Sequence, residues 1–473
     1  MGLRRKFMNS RLNFCQLGAF FTATVWMLVS LPTASALAVN QLVADESINL
    51  QKSMTSKHHL RNGLPVIVRS IPDSDIVHLS VNFASGLKDL PPGRKVLNEW
   101  MWGVMPLAAR GYPKKKVYEI SEKFSLEMAC GGGIETSTCA VGSLNEYWTQ
   151  TLQLAAAVIK DPAFTKEDVE LTRQRIEAQL KDLPSDPGDY VNEVVNSVFY
   201  PVGHPYRLNH DEALQELKKL GRQDLVQFHR SLLSPDNMAI VVVTSMPAVK
   251  VVADLDKVFG AIKTKRVKHV YPKMPQFVEN QAYSLSDREL PTAYIRIKFN
   301  APGIREGSAT ALRLLFEILS EELGEEIRTK RSLSYAVHAF LIDYSLGIGV
   351  INASTSKPEE TLKAIREVVD RVKAKDYSAE ELLEYKRGFV TSYYLTQETH
   401  AAMAATLGAS EFFFGDANEY YDMPRQLERV TPAEIKSLAQ KWLTNFRVGV
   451  IAGRNQFKDE WARELIQSTA SKS

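Results

Sequence analysis

Histidine, cysteine and carboxylate side chains are the groups that most often bind metals or transfer protons in proteins, so their spacing is considered first. Two histidines four residues apart on one helix face, with a glutamate between them, would form a hydrolytic zinc site. No histidine of this chain has such a partner. His204, His210 and Asp211 lie in a proline-containing loop, where a spacing of six does not bring both imidazoles to one helix face. The sequence therefore predicts no zinc and no other cofactor. The nine histidines are at positions 58, 59, 78, 204, 210, 229, 269, 338 and 400.

Two of the three cysteines, Cys130 and Cys139, flank a glycine-rich segment, and Cys15 lies near the amino terminus. Without a C-x-x-C pair these residues do not form a zinc finger. In an exported chain, Cys130 and Cys139 could form a disulfide across a hairpin. The alternative is two small, buried strand residues, and the sequence leaves both interpretations open.

An internal repeat indicates how the chain is organised. Residues 217–243 form an amphipathic helical pattern that leads into an apolar strand, and residues 427–453 repeat it at an offset of 210. Residues 164–169 match 377–382 at an offset of 213, and each contains a Thr or Ser N-cap, Thr165 or Ser378, that opens a charged helix. The chain is therefore predicted to be a tandem duplication of a unit of roughly 200 residues.

Each unit begins with strands, for example at residues 64–70, 77–85 and 293–300, and continues with runs of helices. This segregation predicts the α+β class, with a mainly antiparallel sheet and helices packed on one face in each homologous domain. The predicted segments are a signal peptide (1–38), an N-terminal domain (47–260), a Lys- and Pro-rich linker (261–282), a C-terminal domain (283–455) and a polar tail (456–473).

The first 38 residues are typical of an export signal. Arg4, Arg5, Lys6 and Arg11 precede an apolar run at 17–31 and a small-residue cleavage site at 34–36, and the segment contains no acid. A mitochondrial presequence would be amphipathic, whereas residues 20–31 are apolar on every face. We therefore expect a periplasmic protein. The less favoured alternative is a protein anchored in the membrane by an uncleaved signal. Removing the four cations changes the formal net charge from +3 to −1, which gives no bulk reason to bind nucleic acid or an anionic membrane.

Three groups of residues carry a resemblance to a known family. They are the segment 203–206 (GHPY), the segment 234–237 (SPDN) and the segment 327–337 (IRTKRSLSYAV), and they occur within the duplication already described. In these features the chain resembles the insulinase/pitrilysin-like metallopeptidases, most closely the mitochondrial-processing-peptidase branch and its bacterial two-domain relatives. The resemblance extends from about residue 50 to residue 453.

Active members of that family carry the zinc motif H-x-x-E-H on the first long helix and a further glutamate downstream. In this chain Val96 and Trp100 occupy the two histidine positions, while Glu99 is retained. The distal glutamate position falls on Ala178 or Gln179, one step from Glu177. Valine and tryptophan side chains have no electron pair to donate to zinc. The resemblance therefore implies a degenerate metal site and no peptide hydrolysis by this chain alone.

The family's C-terminal domain contributes an arginine and a tyrosine that hold the substrate backbone and stabilise the transition state. Those roles correspond to Arg331 and Tyr335. A guanidinium group can donate to a peptide carbonyl, and a phenol can donate to a developing oxyanion. In the alternative interpretation, Arg331 ends a helix and Tyr335 packs on a sheet.

The resemblance implies a non-catalytic subunit of an exported heterodimeric zinc metallopeptidase. Such a subunit would bind peptide substrate and lend Arg331 and Tyr335 to the zinc site of a catalytic partner of the same family, with no role for nucleic acid. The alternative is a standalone inactive homologue that acts as a peptide-binding or scaffold protein in the cell envelope. The acidic stretch 320–326 is either a solvated helix face or a selector of basic peptides.

Overall fold

The structure, a computed structural model, describes residues 42–277, here called the first half, and residues 282–470, the second half. The predicted signal peptide lies outside the described residues. Each half contains one sheet. The strands of the first sheet are β1 (Thr55–His59), β2 (Pro65–Ser70), β3 (Ile76–Phe83), β4 (Glu127–Gly132), β5 (Ser137–Leu144) and β6 (Met238–Thr244). Those of the second are β7 (Tyr283–Asp287), β8 (Ala293–Ala301), β9 (His338–Asp343), β10 (Gly347–Thr355) and β11 (Arg447–Ala452).

The two sheets have the same topology apart from the additional strand β1. Their strand orders are β1-β2-β6-β3-β5-β4 and β7-β11-β8-β10-β9. In each sheet one pair is parallel, β2 with β6 and β7 with β11, and the other pairs are antiparallel. The predicted α+β class, with two duplicated and mainly antiparallel units, is confirmed.

Helices connect some of the strands in each half. The first half contains α1 (Asp45–Ser53), α2 (Leu97–Val104), α3 (Lys114–Phe124), α4 (Trp148–Lys160), α5 (Lys166–Asp182), α6 (Pro187–Phe199), α7 (His210–Lys219), α8 (Arg222–Leu232) and α9 (Ala248–Phe259). The second contains α10 (Ala309–Leu323), α11 (Pro358–Ala374), α12 (Ala379–Leu395), α13 (His400–Phe414), α14 (Met423–Arg429), α15 (Pro432–Trp442) and α16 (Asp459–Thr469). The two predicted N-caps are confirmed, because the hydroxyl groups of Thr165 and Ser378 accept from backbone N–H groups in the first turns of α5 and α12.

One face of each sheet is covered by helices of its own half. Helices α2, α4, α8 and α9 pack on the first sheet, and α10, α11, α15 and α16 pack on the second. The largest fully buried side chains of the first core are Trp100, Trp102 and Trp148. These tryptophans remove large apolar surfaces from water, which is the main force that holds the helical layer on the sheet.

The other face of each sheet is covered by a helix of the opposite half. Helix α6 packs on β8 and β11 of the second sheet, and α13 packs on β3 and β6 of the first. Gly449 allows the first approach, since a Cβ there would lie 2.5 Å from the backbone nitrogen of Val195. Gly408 allows the second, since its Cβ would lie 2.9 Å from the Asn82 amide. This exchange buries strands on both faces and joins the two halves.

The C-terminal segment differs from its prediction as a polar tail. It contains α16, whose Ala462 and Leu465 are buried in the second core. Its apolar residues fall on one helix face, so a segment that is polar on average still has a face to bury. The linker residues 261–277 contain neither helix nor strand, and the other domain bounds remain predictions. Within residues 42–277 and 282–470, no helix has the length and apolar character needed to cross a membrane.

Candidate functional site

Helix α2 carries the residues that the resemblance aligns with the zinc motif. Val96 immediately precedes the helix and is 3% exposed, and Trp100 is 1% exposed. The Trp100 indole N–H donates to the carbonyl of Val169 on α5 at 3.1 Å, which fixes the ring between the two helices. Glu99 is exposed. The two positions that would carry imidazoles are therefore part of the hydrophobic core.

The start of α2 is held by a buried carboxylate. Glu216 of α7 accepts from the backbone N–H of Val96 at 2.7 Å, and its burial raises the pKa of its carboxyl group. The neighbouring Lys95 donates to the carbonyls of Leu87 and Pro205, each at 2.8 Å. Burial lowers the pKa of Lys95 to about 8, although the nearby Glu216 opposes this effect. An acceptor at a helix N-terminus is favourable, so this network fixes the backbone position of α2.

A cavity of about 310 Å³ adjoins Glu99. Its lining includes Lys95, Asn98 and Glu99, and also Tyr344 from the second half. Strand β4 closes one side at Gly132, where a Cβ would lie 2.4 Å from Asn98 Oδ1, so only glycine permits this approach. Asn98 Nδ2 donates to the carbonyl of Gly133 at 3.0 Å. Neither Arg331 nor Tyr335 lines this cavity.

The residues at the position of the family's distal glutamate ligand, on α5, are also unsuited to bind a metal. The Glu177 carboxylate contacts Arg173 at 3.1 Å and Lys181 at 2.6 Å along α5. The hydrogen bond from Lys181 is the largest of the effects that lower the pKa of Glu177. Ala178 has no donor atom in its side chain, and Gln179 offers only an amide. With Val96 and Trp100 in the core, the residues at this position do not fit zinc.

His204 and His210 have separate partners. The His204 ring stacks on Tyr200 with 4.7 Å between ring centroids, and its Nε2 lies 3.1 Å from the carbonyl of Lys273. His210 Nδ1 lies 2.5 Å from Glu193 Oε1. Across the described ranges 42–277 and 282–470, no group of three or more His, Cys, Asp or Glu side chains is arranged to hold a metal ion.

Arg331 follows a π-helical turn, Gly324–Lys330, that continues α10. Its guanidinium contacts Glu326 and Glu367, each at 2.6 Å, and the hydrogen bond from Glu367 is the main cause of its raised pKa. In the same region Glu322 pairs with Arg371 at 3.2 Å. Part of the acidic stretch is therefore neutralised within its own half.

Tyr335 lies between that turn and β9 and is 85% exposed. Ser332, between Arg331 and Tyr335, has a φ of 52°, which lies in the left-handed region that serine rarely adopts. Such backbone strain persists where the surrounding structure determines it. The tyrosine ring extends into solvent, in contrast to the alternative in which it packs on the sheet.

Cys130 on β4 lies directly opposite Cys139 on β5. The structure joins their sulfur atoms in a disulfide. Strand β4 is the edge strand of the first sheet, so this bond would tie the edge to its neighbour. Pairing in solution remains a prediction that thiol titration would test.

Glu135 is a residue of the site that the sequence did not single out. It lies in the β4–β5 turn, is 2% exposed, and accepts from the Tyr206 hydroxyl group. It also accepts from the backbone N–H of Ser345 at 3.0 Å and from the Ser345 hydroxyl at 2.9 Å. These bonds join the β9–β10 turn of the second half to the rim of the cavity beside Glu99. One sequence signal was available, because Glu135 is the only charged residue between positions 128 and 145.

Comparison with known proteins shows what the chain is similar to. Residues 219–389 match the family model described as Peptidase M16 inactive domain. A Rickettsia felis protein named uncharacterized zinc protease is 21% identical over 429 residues, covering 87% of this chain and 99% of that protein. A protein of the same description from Streptomyces coelicolor is 22% identical over 404 residues, covering 80% of this chain and 85% of that protein.

Solved structures share the fold. A peptidase M16 inactive domain from Pseudomonas fluorescens has a TM-score of 0.77 at 18% identity and covers 85% of this chain and 99% of that one. A Helicobacter pylori protease has a TM-score of 0.76 at 15% identity, covering 84% and 99%. The periplasmic protease PqqL from Escherichia coli has a TM-score of 0.71 at 17% identity, covering 90% of this chain and 49% of that one. Residues 219–389 of the chain thus match the Peptidase M16 inactive domain, and the chain shares its fold with solved proteins of that description.

Proposed function

We propose that this chain is the non-catalytic subunit of an exported heterodimeric zinc metallopeptidase. It binds peptide substrate and lends Arg331 and Tyr335 to the zinc site of a catalytic partner of the same family. The observation that carries the proposal is the burial of Val96 and Trp100 in the core at the positions aligned with zinc ligands. Valine and tryptophan side chains cannot ligate a metal ion that would activate water, so cleavage requires a second chain.

The exposure of Tyr335 supports the second part of the proposal. An aromatic side chain that is 85% exposed buries little apolar surface and gains little stability where it is. Its hydroxyl group is accessible to a molecule outside this chain. Arg331 lies four residues earlier, at the end of the turn that follows α10. The pair therefore fits a role at an interface better than a role in packing.

Peptide binding is supported by the edge strands. Strand β4 ends the first sheet, packs against α2, and alternates exposed and half-buried residues. Strand β9 ends the second sheet. An edge strand offers backbone N–H and C=O groups with which an extended peptide can pair, independently of the peptide's sequence. A peptide held in this way would reach the partner's zinc site.

Export rests on the predicted signal peptide 1–38 and agrees with the shared fold of PqqL, which is a periplasmic protease. In that compartment the cleaved chain would begin close to α1, and Cys130 and Cys139 would meet an oxidising environment. Amino-terminal sequencing of the protein from a periplasmic extract tests this expectation.

The central experiment reconstitutes the pair. The mature chain is purified alone and together with a same-family chain from its native host that carries H-x-x-E-H. Zinc is measured by elemental analysis, and cleavage is followed with a peptide library. We expect this chain alone to contain no stoichiometric zinc and to cleave no peptide. The pair should contain zinc and cleave peptides. Arg331→Ala and Tyr335→Phe should each lower kcat of the pair by about 10²-fold, as loss of one oxyanion donor does.

Matched variants control for general effects on the surface. Arg328→Ala removes an exposed arginine from the same turn, and Tyr118→Phe removes the hydroxyl group of another exposed tyrosine. Both controls should leave the activity of the pair unchanged. Full activity in Arg331→Ala and Tyr335→Phe would refute the assigned roles, and cleavage by this chain in isolation would refute the proposal.

A standalone peptide-binding or scaffold role is the second candidate, and one observation favours it. The Arg331 guanidinium is already held by Glu326 and Glu367 of its own half, so lending it elsewhere would require breaking these contacts. Co-purification from the native host distinguishes the two functions. A stoichiometric zinc-containing partner supports the subunit, and recovery of the chain alone with bound peptides supports the standalone protein.

A further inference from the structure

Helix α8 lies between two cavities on the first half, of about 370 Å³ and 660 Å³. Neither shares a lining residue with the cavity beside Glu99. Seven exposed basic side chains line them, of which Arg110 pairs with Asp161, and we call the other six residues the cationic surface. They are Lys160, Arg222 and Arg230 at the first cavity and Lys265, Arg266 and Lys268 at the second.

The carboxylates near α8 do not neutralise this surface. Asp161 pairs with Arg110 at 2.8 Å, Asp89 pairs with Lys88 at 3.0 Å, and Asp224 pairs with Arg94 at 2.9 Å. None of the six residues of the cationic surface takes part in an ion pair within the part of the chain that the structure describes. Like charges held close together repel one another, so their clustering costs stability unless an anion binds.

The chain holds this arrangement in place through its backbone. Arg222 donates to the carbonyls of Phe164 at 2.5 Å and Ala163 at 3.4 Å, which fixes the base of its guanidinium. The Lys265 amino group donates to the carbonyl of Arg230, and the Lys265 N–H donates to Ser234 Oγ at 3.1 Å. The linker is thereby bound to the end of α8, and the linings of the two cavities meet at Arg230 and Lys265.

Apolar groups lie among the charges. Phe228, Leu232 and Val267 line the larger cavity, and Tyr271 of the same linker is 76% exposed. Residues 261–277 contain five Lys or Arg and no acid. Basic side chains that alternate with apolar residues and an exposed aromatic are typical of segments that bind the surface of an anionic bilayer.

We infer that the cationic surface docks the protein onto an anionic phospholipid bilayer. The six cations contact lipid phosphates, and Tyr271 lies at the headgroup level. The near-neutral charge of the mature chain gave no bulk reason for membrane binding, but the charges are not evenly distributed. Each Lys or Arg near such a surface contributes about fivefold in affinity, so a cluster of six binds where scattered charges do not.

Vesicle co-sedimentation of the full mature chain tests this inference and requires no partner subunit, so its outcome is independent of the proposed function. The protein should bind phosphatidylcholine vesicles that contain phosphatidylglycerol and should not bind pure phosphatidylcholine vesicles. Replacing Lys265, Arg266 and Lys268 together by Glu should weaken binding by at least about 10²-fold, because three of the fivefold contributions are lost and three repelled charges are added. Equal binding to the two kinds of vesicle would overturn the inference.

A matched triple variant controls for net charge. Lys357→Glu, Lys363→Glu and Lys441→Glu together change the charge equally on exposed sites of the second half, and should leave vesicle binding unchanged. The double variant Lys160→Glu and Arg230→Glu tests the other cavity without altering the linker, and should weaken binding by at least about 25-fold. Loss of binding in the control triple, or wild-type binding in both test variants, would contradict the assignment. Circular dichroism verifies that each variant is folded.

The source of the phosphate is tested separately. Raising the ionic strength from about 0.01 M to 1 M shortens the Debye length from about 30 Å to 3 Å and should release the protein from vesicles. Inorganic phosphate alone, titrated by calorimetry, should bind at least tenfold more weakly than the vesicle surface, because it engages one cavity at a time. Tighter binding of inorganic phosphate than of anionic vesicles would identify a soluble anion as the ligand and reject the membrane.

Discussion

The two halves of the molecule have the same sheet topology, but they differ at the positions that carry chemistry in the resemblance. In the first half, Val96 and Trp100 are buried and Trp100 donates to a backbone carbonyl of α5. In the second half, Tyr335 extends into solvent and Arg331 lies at the surface. At the positions aligned by the resemblance, one half has core side chains, and the other has polar groups that other molecules can reach.

This difference assigns the buried residues of the first half to stability and the exposed residues of the second half to function. The burial of an indole and an isopropyl group stabilises the first half, so folding alone explains these residues. Folding does not explain an exposed tyrosine, because its removal would cost little. If the comparison holds, substitutions in the first half change the free energy of unfolding, and substitutions at Arg331 and Tyr335 change only the activity of the pair.

The largest expected effect is at Trp100. Trp100→Ala should lower the free energy of unfolding by about 3–5 kcal/mol, because it leaves a cavity and removes the hydrogen bond to Val169. Tyr335→Ala should change it by less than about 0.5 kcal/mol. Urea unfolding followed by far-UV circular dichroism, which reports the backbone, measures the free energy of unfolding of both variants. A Tyr335→Ala variant as unstable as Trp100→Ala would remove the distinction between the halves.

The next effect concerns the contact between the halves. Glu135→Ala should cost about 1–3 kcal/mol, because it leaves the hydroxyl of Tyr206 and the N–H and hydroxyl of Ser345 without their acceptor. Amide hydrogen exchange should increase at residues 344–346, in the β9–β10 turn. Glu127→Ala is the matched control, since Glu127 is exposed on the adjoining strand. Equal destabilisation by the control would show that Glu135 does not join the halves.

A pH dependence is expected where α13 covers the first sheet. Burial, aided by His400, lowers the pKa of His78 on β3 to about 4. The neutral ring is favoured in the folded state, whereas the unfolded chain binds a proton near pH 6.5, so stability decreases as the pH falls from about 6.5 towards 4. Between pH 6.5 and 5 the loss should be about 1–2 kcal/mol, allowing for the partial exposure of the ring.

Two variants test the origin of this pH dependence. His78→Gln should reduce the decrease in the free energy of unfolding, measured by urea titration at several pH values. The remainder comes from other histidines whose pKa is lowered by burial, which are His204, His229, His338 and His400. His59→Gln, at an exposed histidine on β1, should leave the decrease unchanged. A decrease that persists fully in His78→Gln would assign it to other groups.

Much of the fold could be predicted because its signals are local or repeated. The hydroxyl groups of Thr165 and Ser378 cap their helices through residues three positions away, and the repeat predicted the second sheet from the first. Helix α16 was missed because its segment is polar on average. The duplication could have predicted this helix, because α16 is the equivalent of α9 in the second repeat. Helix α9 begins at Ala248, and α16 begins 211 residues later at Asp459, which matches the offset of the repeat.

The remaining features depend on contacts between distant residues. The packing of α6 and α13 on the opposite sheets joins elements that are distant in the chain, and Glu135 and Ser345 are 210 positions apart. Local propensity and periodicity contain no information about such pairs. The cationic surface could not be predicted from the net charge for a related reason. The net charge is a sum over the whole chain, whereas binding depends on which charges the fold brings together.

The smallest expected effect concerns how firmly Arg331 is held. A double-mutant cycle of Arg331→Ala and Glu367→Ala should give a coupling energy below about 1 kcal/mol, because the pair is solvent-exposed. The exposed pair of Lys357 and Glu360 provides the reference cycle. A weak coupling means that the guanidinium can exchange Glu367 for a substrate carbonyl at little cost. A coupling above about 3 kcal/mol would mean that Arg331 is fixed within its own half, and the second half would then be as much a structural unit as the first.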